Sequence, residues 1–462
     1  MTNAYPMSRR AFLPLMLVVV LYIRPAAGHA QFGAAQIIDD ATTSSGITGM
    51  ATADLNNDGF VDLVTSNGYN QGRVTAYMNN AGDLFDAAPV TVDADAPLAE
   101  AVTTADLDQD GWTDIIALSR LDGEVFWYPN TSGSFNQRVV LDSAVLTLNA
   151  VAAGDVDGDG DPDLVVIGQH SIDLFRNNGS ATFTKEAILT TATSPLPLEC
   201  MDLLLLDIDG DGDLDAATAE TIGPVIYVND GTGTFTPTLV DPVAAIQAQI
   251  HAGDIEGDGD MDIVVVDFTG LAHWYRNEGM SWTNEGSLLS GTSIRNFDLF
   301  DADGDGLADA ITARNAQLIY HKGIGDGTFA ADVVVYTFGT TIIDEVGHAD
   351  LDNDGQPDGL WSAPGGTVAY HLNALPTAVP MIAGREQRCA VVQDGYQVQL
   401  RAGDPTEQHV QWRVMDARGR SIWQQSSGTA TVQVPLQGLG SGVYLAIARS
   451  EQRNCAARFV VP

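Results

Sequence analysis

The chain has 462 residues, 45% of them hydrophobic and 18% charged, and its 61 acids against 21 bases leave a net charge of −40. That length allows two or more domains with substantial cores. So large an acid excess repels nucleic-acid phosphates and anionic lipid, which argues against both as partners.

Residues 1–30 read as a signal peptide. Arg9 and Arg10 supply the positive start, and Ala11 to Ile23 is an apolar run too short to span a bilayer comfortably. Gly28-His29-Ala30 sets small residues before a cut at Gln31. Ser8-Arg9-Arg10-Ala11-Phe12-Leu13 also resembles a twin-arginine signal, though Pro14 departs from it, and the apolar run favours the general secretory route. No later stretch is long and apolar enough to be a membrane helix. The expectation is a protein exported through the periplasm, to be secreted or held at the outer cell surface.

Residues 31–375 are organised by one nine-residue phrase, D-x-D-x-D-G-x-x-D. It starts at Asp54, Asp106, Asp155, Asp207, Asp254, Asp301 and Asp350, with 47 to 52 residues between successive starts. A period of that size indicates a propeller or solenoid. Each unit repeats one grammar. A small or apolar lead-in (Ala101-Val-Thr-Thr-Ala105) precedes the acidic turn, and a β-branched run (Leu164-Val-Val-Ile167) follows it. A second run ends in an aromatic (Val125-Phe-Trp-Tyr128), an Asn/Gly turn follows, and a last short run completes the unit (Val139-Val-Leu141). Four short strands per unit, without helical periodicity, predict an all-β, seven-bladed β-propeller. After the seventh turn only two strand-like runs remain before Pro376. An unclaimed strand, Gln36-Ile-Ile38, lies ahead of the first turn. The ring is therefore expected to close by pairing the mature N-terminus with the last blade, which removes an exposed edge.

Acids at positions 1, 3, 5 and 9 of a tight turn, reversed by glycine at position 6, form a hard-oxygen cage of the kind Ca²⁺ takes. The first copy offers Asp54, Asn56, Asp58 and Asp62, and the second Asp106, Asp108, Asp110 and Asp114. The third offers Asp155, Asp157, Asp159 and Asp163, and the fourth Asp207, Asp209, Asp211 and Asp215. The fifth brings Asp254, Glu256, Asp258 and Asp262, the sixth Asp301, Asp303, Asp305 and Asp309, and the seventh Asp350, Asp352, Asp354 and Asp358. Position 7 would add a backbone carbonyl, from Phe60, Trp112, Asp161, Asp213, Asp260, Leu307 and Gln356 in turn. Without metal each cluster suffers like-charge repulsion, so up to seven structural Ca²⁺ ions are expected as folding components. An EF-hand requires an acid at position 12 and flanking helices. Here position 12 is Thr65 or Ala117, inside strand-like runs.

From residue 376 the composition changes: nine arginines outnumber six acids. Residues 376–388 read as a linker. Residues 389–462, with alternating runs such as Val410-Gln-Trp-Arg-Val414 and Val443-Tyr-Leu-Ala-Ile447, read as a small Ig-like β-sandwich. Cys389 and Cys455 bracket this segment. A disulfide between them suits an oxidising compartment, and two buried free thiols suit the sequence as well.

No catalytic residue emerges. The eight histidines are scattered, with no H-E-x-x-H and no G-x-S-x-G elbow. His273, His321 and His371 recur near third strands, where hydrogen-bonded strand histidines are the simpler reading.

The seven acidic turns and the Asn-Gly turns closing on an aromatic (Asn229-Asp-Gly-Thr-Gly-Thr-Phe235, Gly325-Asp-Gly-Thr-Phe329) resemble the FG-GAP/VCBS repeat family, whose best-known relative is the integrin α-subunit head. The resemblance implies calcium in the loop between the first two strands of a blade, rigidifying one face while ligands approach the other. In the tail, Val414-Met-Asp-Ala-Arg-Gly-Arg-Ser-Ile-Trp423, Leu436-Gln-Gly-Leu-Gly-Ser-Gly-Val-Tyr-Leu445 and the closing Arg458-Phe-Val-Val461 resemble the C-terminal sorting domain of the type IX secretion system. The usual Tyr-Pro-Asn-Pro opening is absent. That likeness implies a Bacteroidota-type source, and release or attachment at the surface by that machinery. Two functions fit. The first is a non-catalytic adhesion or ligand-binding module with an extracellular protein or glycan ligand, using loops such as Asn67-Gly-Tyr-Asn70, Ser119-Arg-Leu-Asp122 or Thr191 to Leu198. The second is a lectin or polysaccharide lyase, for which Arg120 and Lys322 look too isolated to supply a base.

Overall fold

In the computed structural model the described residues run from Gln31 to Ala374, except 41–45, 69–71, 81–83, 87, 97, 121, 144–146, 170, 191–199, 243–246, 290–292 and 339–342, and then comprise the strands between Ala390 and Val461. No helix occurs among them, and none is therefore long and apolar enough to cross a membrane.

The apolar runs after each acidic turn become the second strands of seven four-stranded antiparallel sheets. Blade four is representative, with Cys200–Leu206, Asp215–Glu220, Gly223–Asn229 and Phe235–Leu239 in consecutive order. Its second strand is buried at every position, as in blade two (Asp114–Ser119) and blade three (Asp163–Gly168), while the outer strand is largely exposed. A strand with neighbours on both sheet faces must be apolar on both, which is why these runs do not alternate.

The core lies between blades rather than within them. Leu107, Ile116, Leu118, Val125 and Trp127 of blade two pack on Leu148, Leu164, Val166 and Phe175 of blade three. The same arrangement closes the ring, where Ile47, Leu63 and Tyr77 of blade one meet Leu351, Leu360, Val368 and Tyr370 of blade seven.

Closure follows the expected route. Gln36–Asp39 is the outer strand of the last blade, pairing antiparallel with Thr367–His371 in the register Gln36↔Tyr370 and Ile37↔Ala369. Gln31–Phe32 adds a short ladder to Asn373–Ala374. The Gly33 amide donates to the Leu372 carbonyl at 2.8 Å. The sequence pattern gave no sign of two small hairpins, Asn79–Asn80 with Leu84–Phe85 and Asn130–Thr131 with Ser134–Phe135, set before the outer strands of blades one and two.

Past the propeller, the expected alternating runs form a three-stranded and a four-stranded antiparallel sheet, the latter containing Val410–Asp416 and Gly442–Arg449. Residues 1–30, the linker 376–388 and Cys389 lie outside the described residues; Cys455 falls in the strand Asn454–Val461.

Candidate metal-binding turns

Two hydrogen bonds recur in every acidic turn, from the position 6 amide to the position 1 carboxylate and from the position 7 amide to the position 5 carboxylate. The position 1 carboxylate caps the turn. In the second copy Asp106 accepts from the amides of Asp110 and Gly111 at 3.1 and 2.9 Å, and in the seventh Asp350 accepts from Asp354 and Gly355 at 2.9 and 2.8 Å. At position 6, φ is +86° to +99°, in the region open to glycine, which accounts for Gly59, Gly111, Gly160, Gly212, Gly259, Gly306 and Gly355. Position 4 is also left-handed, at +54° to +81°. That constraint escaped the sequence reading, although the residues there (Asn57, Gln109, Gly158, Gly210, Gly257, Gly304, Asn353) carry its signature. The residues expected to offer a carbonyl at position 7 each donate their own amide to the position 5 carboxylate, at 2.9 Å for Phe60, Trp112, Asp161, Asp260 and Gln356 and 3.0 Å for Asp213 and Leu307.

Position 9 has a structural duty. Asp62, Asp114, Asp163, Asp215, Asp262, Asp309 and Asp358 each begin a second strand and are fully buried. In blade two one oxygen of Asp114 accepts the Leu107 amide at 3.0 Å and the other the Asn130 amide at 2.7 Å. Burial pushes Asp62, Asp114 and Asp163 up to about 6, and Asp309 and Asp358 up to about 7. A carboxylate oxygen retains a second lone pair beyond one amide contact, so these groups can still face a cation.

In five turns the oxygens of positions 1, 3 and 9 lie within 4.8 Å of one another: Asp106, Asp108 and Asp114; Asp155, Asp157 and Asp163; Asp207, Asp209 and Asp215; Asp301, Asp303 and Asp309; Asp350, Asp352 and Asp358. This all-oxygen donor set suits a hard divalent cation such as Ca²⁺ and lacks the nitrogen or sulfur that softer metals favour. The first copy has Asn56 at position 3. In the fifth, Glu256 stands there with both carboxylate oxygens buried and without a hydrogen-bond partner. Burial, with Asp262 alongside, raises its pKa.

A second ring of contacts went unnoticed in the sequence. An asparagine ends the third strand in blades three, four and five (Asn177, Asn229, Asn277) and stands two residues past it in blades one, two and seven (Asn79, Asn130, Asn373). The Asn130 side-chain amide donates to Thr113 in its own blade at 2.9 Å and to Leu55 in the preceding blade at 2.7 Å. Asn177 reaches Leu107, Asn229 reaches Val156, Asn277 reaches Ile208 and Asn373 reaches Ala302 in the same manner. Asn79 reaches Leu351 across the ring closure. Blade six has Gly323 at this position. The available signal was an asparagine 14 to 17 residues beyond six of the seven position 9 acids.

The third-strand histidines are hydrogen-bonded: His273 to Asp267 at 3.1 Å, His321 to Thr312 and Asp332 at 2.9 Å each, and His371 through Nδ1 to the Gly33 carbonyl at 2.9 Å, while its Nε2 is buried without a hydrogen-bond partner. Arg120 pairs with Glu100 at 3.0 Å, and Lys322 reaches into the sixth acidic turn. Asn67 and Ser119 end second strands, at the end of the blades away from the acidic turns, while Thr191 to Leu198 lies outside the described residues.

Seven four-stranded blades, each with an acidic turn joining its first two strands, define a β-propeller built from aspartate-turn repeats. The chain belongs to the FG-GAP-like repeat family, matched at residues 54–117, 106–166, 155–218, 207–265 and 254–312, together more than half of its length. It is 34% identical over 139 residues to integrin alpha-7 of Mus musculus, a match covering 25% of this chain and 12% of that protein, so the chain spans about an eighth of that relative. Among solved structures it is similar to BBS1N in complex with ARL6DN at 13% identity and a TM-score of 0.53, over 76% of this chain and 98% of that one. That likeness shows the fold alone. An Agrocybe aegerita lectin that recognises non-reducing terminal N-acetylglucosamine matches at 21% identity and a TM-score of 0.48, over 67% of this chain and 81% of that one.

Proposed function

We propose that the protein is an exported, calcium-stabilised β-propeller that binds an extracellular protein or glycan ligand and performs no chemistry of its own. The observation that carries this reading is the uniform architecture of the acidic turns. Five of them gather three carboxylates within 4.8 Å, and the same carboxylates fix the backbone of turn and strand, so the metal acts as a fastener. The FG-GAP-like repeats and the similarity to integrin alpha-7 support an adhesive role. Ligand recognition falls to the opposite end of the blades, where loops are free of the structural motif. Residues 389–462 act in this reading as an Ig-like sorting domain recognised by type IX secretion machinery, with residues 1–30 directing export and 376–388 as linker. The two antiparallel sheets of the tail support the sandwich.

The test is a glycan array and a polysaccharide lyase assay on the chain from Gln31 onward with calcium present. Saturable binding without turnover is expected if the ligand is a glycan, and neither signal if it is a protein. Polysaccharide cleavage would overturn the non-catalytic reading.

A further inference from the structure

We infer that the sixth acidic turn carries its own cation: the Lys322 ammonium occupies the place a divalent ion would take among Asp301, Asp303, Asp305 and Asp309, so the chain binds fewer metal ions than it has turns. This rests on the proposal that the other turns take Ca²⁺.

Lys322 follows the third strand of blade six, Gln317–His321. Its side chain is 10% exposed, and it donates to Asp303 and, at 2.9 Å, to Asp305. Those are positions 3 and 5 of the cage. Asp303 is 1% exposed, and its remaining oxygen has no hydrogen-bond partner. In copies one, two, three, four and seven the position 3 side chain accepts the position 5 amide, as Asp108 does from Asp110 at 3.3 Å and Asp352 from Asp354 at 3.1 Å. In the sixth, Asp303 is engaged by lysine instead.

The local backbone brings the lysine there. Gly323 stands where six blades have asparagine. A Cβ on it would sit 2.3 Å from the Ala308 carbonyl oxygen, so the strand end lies closer to the turn than any side chain at that position allows.

The corresponding residues elsewhere separate the cases. Met78, Pro129, Val228 and Leu372 are uncharged. Arg176 touches Asp157 but shares its guanidinium with Glu186 and the Thr232 carbonyl, and its side chain is 25% exposed. Arg276 is 33% exposed, pairs with Glu278 and Glu285, and stays 3.9 Å from Glu256. Of the three, Lys322 is the one whose ion pairs, to Asp303 and Asp305, both lie within the turn. An ammonium is a compact point charge with three donors on a flexible stem, suited to act as a tethered ion. A metal entering this cage must break two charge-assisted hydrogen bonds and leave a buried lysine unpaired, a heavy penalty.

The experiment counts Ca²⁺ per chain by equilibrium dialysis and elemental analysis for wild type, Lys322→Met, Asp303→Ala and Asp108→Ala. Lys322→Met is expected to bind one more ion than wild type. Asp303→Ala is expected to leave the count unchanged, whereas Asp108→Ala lowers it by one. An unchanged count in Lys322→Met, or a loss of one ion in Asp303→Ala, overturns the inference; the second variant decides the matter even where the first does not fold. A wild type that binds no Ca²⁺ would instead refute the calcium reading of the turns.

Discussion

Two residues govern the turn in six of the seven blades: the position 9 aspartate that roots it and the asparagine that ties it to its neighbour. Asn130 satisfies the buried Leu55 carbonyl and the half-buried Thr113 carbonyl, and its own amide is held by Asp114. Asn130→Ala orphans both carbonyls, and since an unsatisfied buried group costs about 1–3 kcal/mol, denaturant unfolding should show a loss of that size. A loss below about 0.5 kcal/mol, the scatter of ordinary surface changes, would remove the clasp from the account. The aspartates set the pH response of the metal-free protein. Burial raises all seven, and Asp62, Asp114, Asp163, Asp309 and Asp358 stand at about 6 to 7 in the folded state, above an ordinary 3.8. Between those limits the folded chain holds protons that the unfolded chain has released. The stabilisation is complete below about pH 4 and is lost as pH rises through 6 to 7. Metal-free protein should melt higher at pH 5 than at pH 8. With Ca²⁺ present the slope reverses, because the ligands must be deprotonated to bind.

At the scale of the element, the strand Gln36–Asp39 is the one most exposed to test. It covers Thr367–His371, which otherwise presents an unpaired edge with Val368, Ala369 and Tyr370 behind it. Removing residues 31–45 should lower the melting temperature sharply, and an unchanged melt would show that the last blade stands with three strands. The strand was legible because the inventory of runs was one short at one end and one over at the other. The two small hairpins before the outer strands of blades one and two were not legible: each ladder is two residues long and leaves no periodicity.

For the whole molecule, the governing quantity is a charge of −40 set largely by the acidic turns. Cages of carboxylates repel one another across each turn, and a cation that binds only the folded ring stabilises it by mass action. Ca²⁺ at 100 times its dissociation constant should contribute about 2.7 kcal/mol per site, so adding it to metal-free protein should raise the melting temperature by many degrees. Indifference to calcium and to chelator at neutral pH would refute a structural metal.

The sequence alone determined the blade count, the strand order within a blade, the acidic cages and the closing strand, because each is written in local spacing that recurs seven times. Tertiary structure decided what spacing cannot express. The asparagine clasps join residues 69 to 75 positions apart within the ring, and 272 apart across its closure, so their partners appear only when blades lie side by side. The difference between the turns was likewise hidden. Seven copies of one phrase look interchangeable in sequence, until Lys322, well beyond its own copy, folds back onto Asp303 and Asp305. Charge acts through distance in space, and only the fold sets that distance.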